Sequence, residues 1–170
     1  MRPQLVVVAP SAIEVVQCAG GWLFDRVMAG WDATVLTTDC ADPRPLRILG
    51  SRTVDLESAL AAPAPGPGPQ AIAVDATLYE SDARVRRLVL DALREGTVDV
   101  WLWGERWPAD LAADVGSVQH RLSVAARAFK AQALMAAAAP VEAINIAELF
   151  RSGRLPQGAS GSPGLVTATY

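Results

Sequence analysis

Short apolar runs alternate with amphipathic segments along the first forty residues. Residues 5–9 form a largely β-branched apolar run followed by Pro10, which predicts a buried strand. Ser11 is a favourable N-cap for the helix that follows, and Gly30 provides its end. Residues 32–39 predict a second strand. We therefore expect the chain to open with a βαβ unit, in which the two strands are parallel and the crossover is right-handed.

The same alternation continues towards the C-terminus and predicts an α/β fold. We expect, in chain order, a short strand at residues 46–49, a short helix at 56–60, a buried strand at 71–76, a capped helix at 81–96, a strand at 98–104, a long helix at 117–138 and a shorter helix at 141–150. Strands that alternate with helices are typical of a Rossmann-like, three-layer domain, in which helices flank a mostly parallel sheet.

The chain of 170 residues is long enough for one such domain, which we assign to residues 1–150. Within it, residues 62–70 are rich in proline and glycine and predict a surface loop, because proline cannot donate to a strand ladder. Residues 151–170 are rich in glycine, serine and proline. We expect this C-terminal tail to be flexible or to dock on a partner.

Composition excludes several classes of function. A formal charge of −3, with 51% hydrophobic and 19% charged residues, is typical of a folded domain and argues against nucleic-acid binding. We find no stretch with the length of a signal peptide core or a membrane span, so we expect no membrane association. Two cysteines, Cys18 and Cys40, do not make a disulfide framework, which favours a reducing cytoplasm.

Candidate site residues follow from the rule that ligands bind at the carboxyl ends of parallel strands. The polar residues expected there form a candidate ligand pocket of Ser11, Glu14, Asp39, Asp82 and Glu105. Among them, Glu14, Asp39 and Asp82 are candidates for acid or base chemistry. The single histidine, His120, falls in the predicted long helix, where a packing or surface role is the ordinary outcome.

Three segments, in order, resemble the LmbE-like (PIG-L-type) N-acetylglucosaminyl deacetylases. That family opens with an apolar strand, Ala-His-Pro-Asp-Asp-Glu, a Gly-Gly helix start and a second strand ending in Thr-Asp-Gly. The matching segment here is VVVAPSAIEVVQCAGGWLFDRVMAGWDATVLTTD. Further on, ESDARVRRLVLDALREGTVDVWLW is similar to the family's His-Pro-Asp-His-Arg helix and following strand, and DLAADVGSVQHRLSVAARAFKAQ is similar to its late helix.

The zinc set of the family is not retained under this resemblance. The first ligand falls on Ser11, the general base on Ile13, the second ligand on Glu14 and the third on Ala83. Only Glu14 could still bind a metal, since neither an isoleucine nor an alanine has a donor atom. A hydrolytic zinc site needs three protein ligands and an activated water. The resemblance therefore implies that this chain keeps the family's scaffold but binds no metal and no other cofactor.

Three hypotheses follow for the function. The first is a non-catalytic, pseudoenzyme-like domain that acts by binding or oligomerisation, as a homo-oligomer or with a protein partner, in glycan or glycoconjugate metabolism. The second is a metal-independent enzyme that uses Glu14, Asp39 or Asp82 on a sugar-like small molecule. The third is a diverged α/β fold whose similarity to the family is only architectural.

Two local features have ordinary structural explanations. Cys18 lies in the first turns of a helix, where the helix dipole could activate it, but a small buried hydrophobic role is the simpler interpretation. Gly20 and Gly21 lack the motif of a phosphate-binding loop, so close helix packing explains them better.

Overall fold

A computed structural model describes residues 1–62, 65–106, 108–111, 116–141, 144–153 and 165–166, the last two by their backbone only. The strands are β1 Gln4–Ser11, β2 Asp32–Asp39, β3 Arg52–Asp55, β4 Ala71–Asp75, β5 Asp99–Trp103, β6 Gly116–Arg121, β7 Ala147–Gly153 and β8 Leu165–Val166. The helices are α1 Ala12–Met28, α2 Arg44–Ile48, α3 Leu56–Ala61, α4 Ala76–Ser81, α5 Ala83–Glu95 and α6 Val124–Ala136, with a 3₁₀ turn at Ala109–Leu111.

All of these strands join one sheet in the order β3-β2-β1-β4-β5-β7-β6-β8. The first five are parallel to one another, and β7, β6 and β8 continue the sheet with antiparallel pairing. The fold is therefore α/β with a mostly parallel sheet, as the sequence pattern predicts. Of the helices described, none combines the length and the apolar character needed to cross a bilayer.

Two hydrophobic cores lie on the two faces of the sheet. Successive residues of each strand point to opposite faces, so that Val7 joins one core and Val8 the other. The first core is covered by α1, α2 and α6, and the second by α3, α4 and α5. This double burial explains why the parallel strands read as continuous apolar runs rather than as alternating ones.

The largest difference from prediction lies between residues 117 and 150. The long helix expected at 117–138 is divided: Gly116–Arg121 is strand β6, and the helix begins at Val124 after the N-cap Ser123. The helix expected at 141–150 is wrong, because Ala147–Gly153 is strand β7. Strand β6 exposes Ser117, Gln119 and Arg121, while β7 exposes Leu149. The two strands gain their stability from pairing with each other, which a local pattern does not report.

Two smaller corrections concern the segments around β3 and α5. Residues 46–49 lie in α2 and the turn after it, with Pro45 in the first turn of that helix, and the strand follows later as β3. The helix predicted at 81–96 is preceded by the separate short helix α4, and its N-cap is Asp82 rather than Ser81. The short helix expected at 56–60 is present as α3.

The predicted loop and tail are only partly covered by the structure. Residues 65–70 are mostly exposed, while residues 63–64 of the proline-rich loop lie outside the described residues. Strand β7 continues to Gly153, beyond the expected domain boundary at residue 150. Most of the expected tail, residues 154–164 and 167–170, lies outside the described residues, and its short segment Leu165–Val166 pairs with β6.

Candidate functional site

The end of β1 passes directly into α1 and forms one wall of a small pocket. The Ser11 side chain caps the helix by accepting a hydrogen bond from the Glu14 amide at 3.4 Å. The pocket has a volume of about 120 Å³, and its walls include Ser11, Ile13, Asp39, Asp42, Pro45 and Ala137. Sites for drug-sized ligands occupy roughly 300–1,000 Å³. The volume beside Ser11 is therefore small for a sugar-sized molecule.

Asp39 lies at the rim of this pocket and stabilises the turn after β2. Its carboxylate accepts a hydrogen bond from the Ala41 amide at 3.1 Å. The backbone carbonyl of Asp39 accepts a hydrogen bond from the Thr37 hydroxyl at 2.6 Å. The structure therefore brings Ser11 and Asp39 to one pocket, as expected from the strand-end rule, and gives Asp39 a role in shaping the turn.

Glu14 and Asp75 form a pair of neighbouring carboxyl groups at the carboxyl ends of β1 and β4. Asp75 is buried, and its Oδ1 accepts a hydrogen bond from the Leu78 amide at 3.0 Å, which caps α4. Burial raises the pKa of Glu14 above its usual value, and the negative charge and hydrogen bond of Asp75 raise it further. The position of Asp75 therefore disfavours the ionised form of Glu14.

Sequence reasoning missed Asp75. Its signal was an acidic residue at the end of a buried apolar run, directly before a helix, which is the position of an N-cap. Its approach to Glu14 depends on β1 and β4 being neighbours in the sheet, with Val8 paired to Val74. That neighbourhood is not visible in a linear pattern.

The two cysteines do not show the surroundings of an activated thiol. Cys18 is exposed, so the buried role expected for it is wrong. Partial desolvation still raises the pKa of its thiol, and Glu14 raises it further. A raised pKa lowers the fraction of thiolate, which is the nucleophilic form. Cys40 is exposed, and its Sγ lies 3.4 Å from the Thr37 carbonyl oxygen.

Asp82 is engaged on the other side of the domain, at the start of α5. Its carboxylate caps that helix through the Arg84 amide at 2.9 Å and forms an ion pair with the Arg84 guanidinium at 3.0 Å. Arg84 also contacts Glu57 at 2.7 Å. The Arg84 hydrogen bond holds the pKa of the Asp82 carboxyl below its usual range. Asp82 therefore has a structural role in this arrangement.

Glu105 lies beside a different cavity, of about 450 Å³, that follows the end of β5. Its walls include Trp103, Gly104, Glu105, Ser117, Gln119 and Arg151. The five residues of the expected pocket are thus distributed over several places. Ser11 and Asp39 share one pocket, and Glu14 pairs with Asp75. Asp82 pairs with Arg84, and Glu105 lines the separate cavity at the end of β5.

The residues at the family's zinc positions do not fit a zinc ion. The Ser11 oxygen is used as a helix cap, and Ala83 lies at the start of α5 without a donor atom. Ile13, at the position of the general base, presents a half-exposed hydrocarbon. The remaining candidate ligand, Glu14, faces Asp75. Across the residues that the structure describes, no group of three or more His, Cys, Asp or Glu is placed to hold a metal.

A buried ion pair connects α1 with α6 and β7, and sequence reasoning missed it. Lys130 Nζ donates to Glu148 Oε2 and to the Gln17 carbonyl, both at 2.7 Å. The Glu148 carboxylate accepts the backbone amides of Gly21 and Trp22 at 3.0 and 2.6 Å. The Gln17 carbonyl and the Gly21 amide are the groups that a regular helix pairs with each other. The only signal in the sequence was that Lys130 is the single lysine of the chain.

The three residue types of a catalytic triad meet near the other end of α6, but in the wrong order. Asp25 lies between the other two: its Oδ2 is 2.8 Å from His120 Nε2, and its Oδ1 accepts the Ser123 hydroxyl at 2.5 Å. In a triad the histidine contacts the serine and takes its proton. This cluster therefore joins α1, β6 and α6 structurally, which agrees with the packing role expected for His120.

Comparison with known proteins shows the fold. No family model matches the chain, and no curated protein matches it. Among solved structures, the A40926 pseudoaglycone deacetylase Dbv21 superimposes with a TM-score of 0.58 at 13% identity, covering 100% of both chains. A triple mutant of the deacetylase of teicoplanin biosynthesis (Orf2*T) gives 0.58 at 12% identity, covering 98% of both chains.

A third solved structure carries a different activity on the same fold. GalB, the 4-carboxy-2-hydroxymuconate hydratase from Pseudomonas putida KT2440, gives a TM-score of 0.57 at 11% identity, covering 94% of this chain and 99% of its own. The structural neighbours therefore include deacetylases, and their fold agrees with the one that the resemblance in the sequence implies. At these identities the likeness establishes the fold, while the chemistry must be argued from the site.

Proposed function

We propose that this protein is a non-catalytic, LmbE-like domain that acts by binding, as a homo-oligomer or with a protein partner. The observation that carries the proposal is the set of residues at the zinc positions. Ser11 caps a helix and Ala83 has no donor atom, while Ile13, at the position of the general base, cannot accept a proton. The small volume beside Ser11 also supports it, since it is below the range of sites for drug-sized ligands. A role in glycan or glycoconjugate metabolism and a cytoplasmic location belong to the same proposal.

Metal analysis and a deacetylation assay test this proposal together. Purified protein is dialysed against zinc, its metal content is measured, and acetate release from an N-acetylglucosamine derivative is followed. An active deacetylase of the same fold serves as the positive control. We expect no stoichiometric zinc and no acetate release. One equivalent of zinc together with hydrolysis would refute the proposal, and loss of that zinc in Glu14→Gln would then assign Glu14 as a ligand.

A second candidate function is a metal-independent acid–base enzyme, and the contact between Glu14 and Asp75 favours it. A carboxyl group with a raised pKa keeps its proton to a higher pH than an ordinary one, which suits a general acid. In this proposal a protonated Glu14 is the acid, Asp75 is the base, and the substrate is a sugar-like small molecule that approaches the strand ends. Asp39 and Asp82 are weaker candidates for the acid or the base. The carboxylate of Asp39 already accepts a hydrogen bond in a turn, and that of Asp82 caps a helix.

Conservative variants test this second candidate. We expect Glu14→Gln and Asp75→Asn to lose any activity found in a screen of acetylated sugars and hydratable acids. Asparagine can still cap α4, so the second variant should remain folded. Asp82→Asn is the matched control, since it changes a carboxylate of the same domain outside the pair. Equal activity in all three variants would remove this candidate.

A further inference from the structure

The cavity of about 450 Å³ at the end of β5 lies on the face of the sheet that carries the second core. On that face α4 packs against β4 and α5 against β5. Among the described residues, the second core contains none from β6 or β7. The cavity therefore begins where the helical layer of this face ends. Its volume falls within the roughly 300–1,000 Å³ that small-ligand sites occupy, unlike that of the pocket beside Ser11.

Five side chains from three neighbouring strands point to this cavity. Leu102 of β5 belongs to the second core, and the register pairs it with Arg151 of β7, which in turn pairs with Ser117 of β6. Paired residues of adjacent strands point to the same face, so these three form one row. Leu149 and its partner Gln119 form the next row, because each lies two positions further along its strand. All five line the cavity.

The chemistry of the walls is mixed. Glu105 is exposed directly after β5, and Arg151 is half-buried on β7. Ser117 and Gln119 add a hydroxyl and an amide, while the two leucines supply apolar surface. A ligand that matches these groups has a carboxylate for the guanidinium, hydroxyl groups for the carboxylate and the amide, and a face of C–H groups for the leucines.

We propose that this cavity binds a small polyhydroxy carboxylic acid, with its carboxylate on Arg151 and its hydroxyl groups donating to Glu105. The inference goes beyond the proposed function, since the cavity shares no residue with the pocket beside Ser11 or with the pair of Glu14 and Asp75. It concerns binding only, and it requires no catalytic step.

The charges of the molecule support an anion at this position. The chain has a formal charge of −3, so its overall field does not attract anions, and recognition depends on the local guanidinium. Arg151 already interacts with the rest of the protein. Its guanidinium has five N–H donors, more than one partner uses, so it can also hold a carboxylate.

The size of the apolar surface favours a small ligand over a protein. A standard protein interface buries about 800 Å² on each partner and has an apolar centre. The apolar part of this cavity consists mainly of Leu102 and Leu149, and Leu102 is already buried. Charged and polar groups surround these two side chains, as is usual where a few polar contacts orient a small molecule.

Calorimetric titration with D-glucuronate and D-glucose tests the inference, because the two probes share a ring and its hydroxyl groups but only glucuronate has a carboxylate. We expect saturable binding of glucuronate, at least ~10-fold tighter than that of glucose. Arg151→Gln should remove this preference, since it weakens the binding of glucuronate and leaves that of glucose unchanged. Glu105→Gln should weaken the binding of both probes, because both use hydroxyl groups.

Two further variants keep the test independent of folding defects. Arg87→Gln removes the same charge from an exposed position of α5 and should change nothing. Leu149→Glu changes a side chain that is 70% exposed, and its carboxylate should repel glucuronate and abolish binding. Urea unfolding of each variant, followed by tryptophan fluorescence, confirms that it is folded.

Three results would overturn the inference: no saturable binding of glucuronate, equal affinity for glucose, or binding that Arg151→Gln leaves intact. Sedimentation of the same samples adds a fourth, because a dimer that Leu149→Glu dissociates would place a second copy on this face instead. Zinc content and deacetylation are measured in parallel. An active zinc enzyme that binds glucuronate through Arg151 would refute the proposed function alone, and an inactive protein that does not bind it would refute the ligand site alone.

Discussion

The ammonium group of Lys130 and the carboxylate of Glu148 lie 2.7 Å apart in the interior, with side chains only 7% and 3% exposed. Burial raises the pKa of the Glu148 carboxyl, while Lys130 and the amides of Gly21 and Trp22 act in the opposite direction. The pair connects α6 and β7 to the middle of α1. Buried pairs of this kind are costly to break, because the remaining charge has lost its partner.

Replacing one partner of this pair should strongly destabilise the protein. We expect Lys130→Met to lower the free energy of unfolding by about 3–5 kcal/mol, since it leaves the Glu148 carboxylate buried without its counter-ion. Urea denaturation followed by tryptophan fluorescence measures the change. In the double variant with Glu148→Gln, part of the loss should be recovered, because no charge remains buried. Fully additive losses would contradict an energetic coupling between the two side chains.

Gly21 should not tolerate a methyl group, while Gly20 beside it should. A Cβ on Gly21 would overlap the Leu122 side chain, whereas a Cβ on Gly20 would lie 3.3 Å from a Leu49 methyl group. We expect Gly21→Ala to cost about 1–3 kcal/mol through overpacking. Gly20→Ala should be close to neutral, since its better helix propensity offsets a small adjustment of Leu49. Thermal unfolding of the two variants checks this difference, and equal melting temperatures would contradict it.

The pKa of Glu14 should appear in the pH dependence of stability. A carboxyl group whose pKa is raised on folding binds more protons in the folded state, so it destabilises the protein as the pH rises above its usual value of 4.5. Glu14→Gln removes this titration. We therefore expect the variant to gain stability over the wild type as the pH rises through that range, with a constant difference at higher pH.

Urea denaturation at a series of pH values measures this effect. Asp82→Asn is a suitable control, because the pKa of Asp82 is lowered and its effect should have the opposite sign. Stability of Asp82→Asn relative to the wild type should fall as the pH rises through the range in which the carboxyl ionises. A Glu14→Gln profile parallel to that of the wild type would contradict the raised pKa.

Tyr79 should ionise at unusually high pH. Its side chain is fully buried, and its hydroxyl donates to Asp110 Oδ2 at 2.9 Å. Burial, assisted by Asp110, raises its pKa to about 12, so this residue stabilises the fold at neutral pH and loses that contribution as the pH rises from 10 through about 12. Ultraviolet titration of wild type and Tyr79→Phe should show that the variant lacks the late-ionising tyrosine. If Tyr79→Phe instead removed a tyrosine that ionises at the ordinary pH, the raised pKa of Tyr79 would be contradicted.

The first βαβ unit could be predicted because its signals are local. The apolar run of β1, the Ser11 cap and the apolar run of β2 act within a few residues, and the structure reproduces them almost without change. Burial on both faces of the sheet makes these strands apolar throughout, so they stand out in any sequence. The resemblance to the LmbE-like deacetylases likewise indicates the fold from the sequence alone.

Strands β6 and β7 could not be predicted because their stability comes from each other. Strand β6 exposes Ser117, Gln119 and Arg121, strand β7 exposes Leu149, and the alanine-rich stretch nearby favours a helix. Pairing of Val118 with Phe150, thirty-two positions apart in the chain, decides the outcome. β-Propensity reflects such cross-strand packing more than any local preference.

The same distinction between local signals and long-range contacts applies to the candidate site. The sequence determined which side chains are present at the strand ends, and under the resemblance it places Ser11 and Ala83 at two ligand positions and Ile13 at the position of the general base. Only the tertiary structure decided that Glu14 meets Asp75 and that Lys130 reaches Glu148, because strand order and helix packing join residues that the chain separates. Residue chemistry is a local property, whereas proximity is a property of the whole fold.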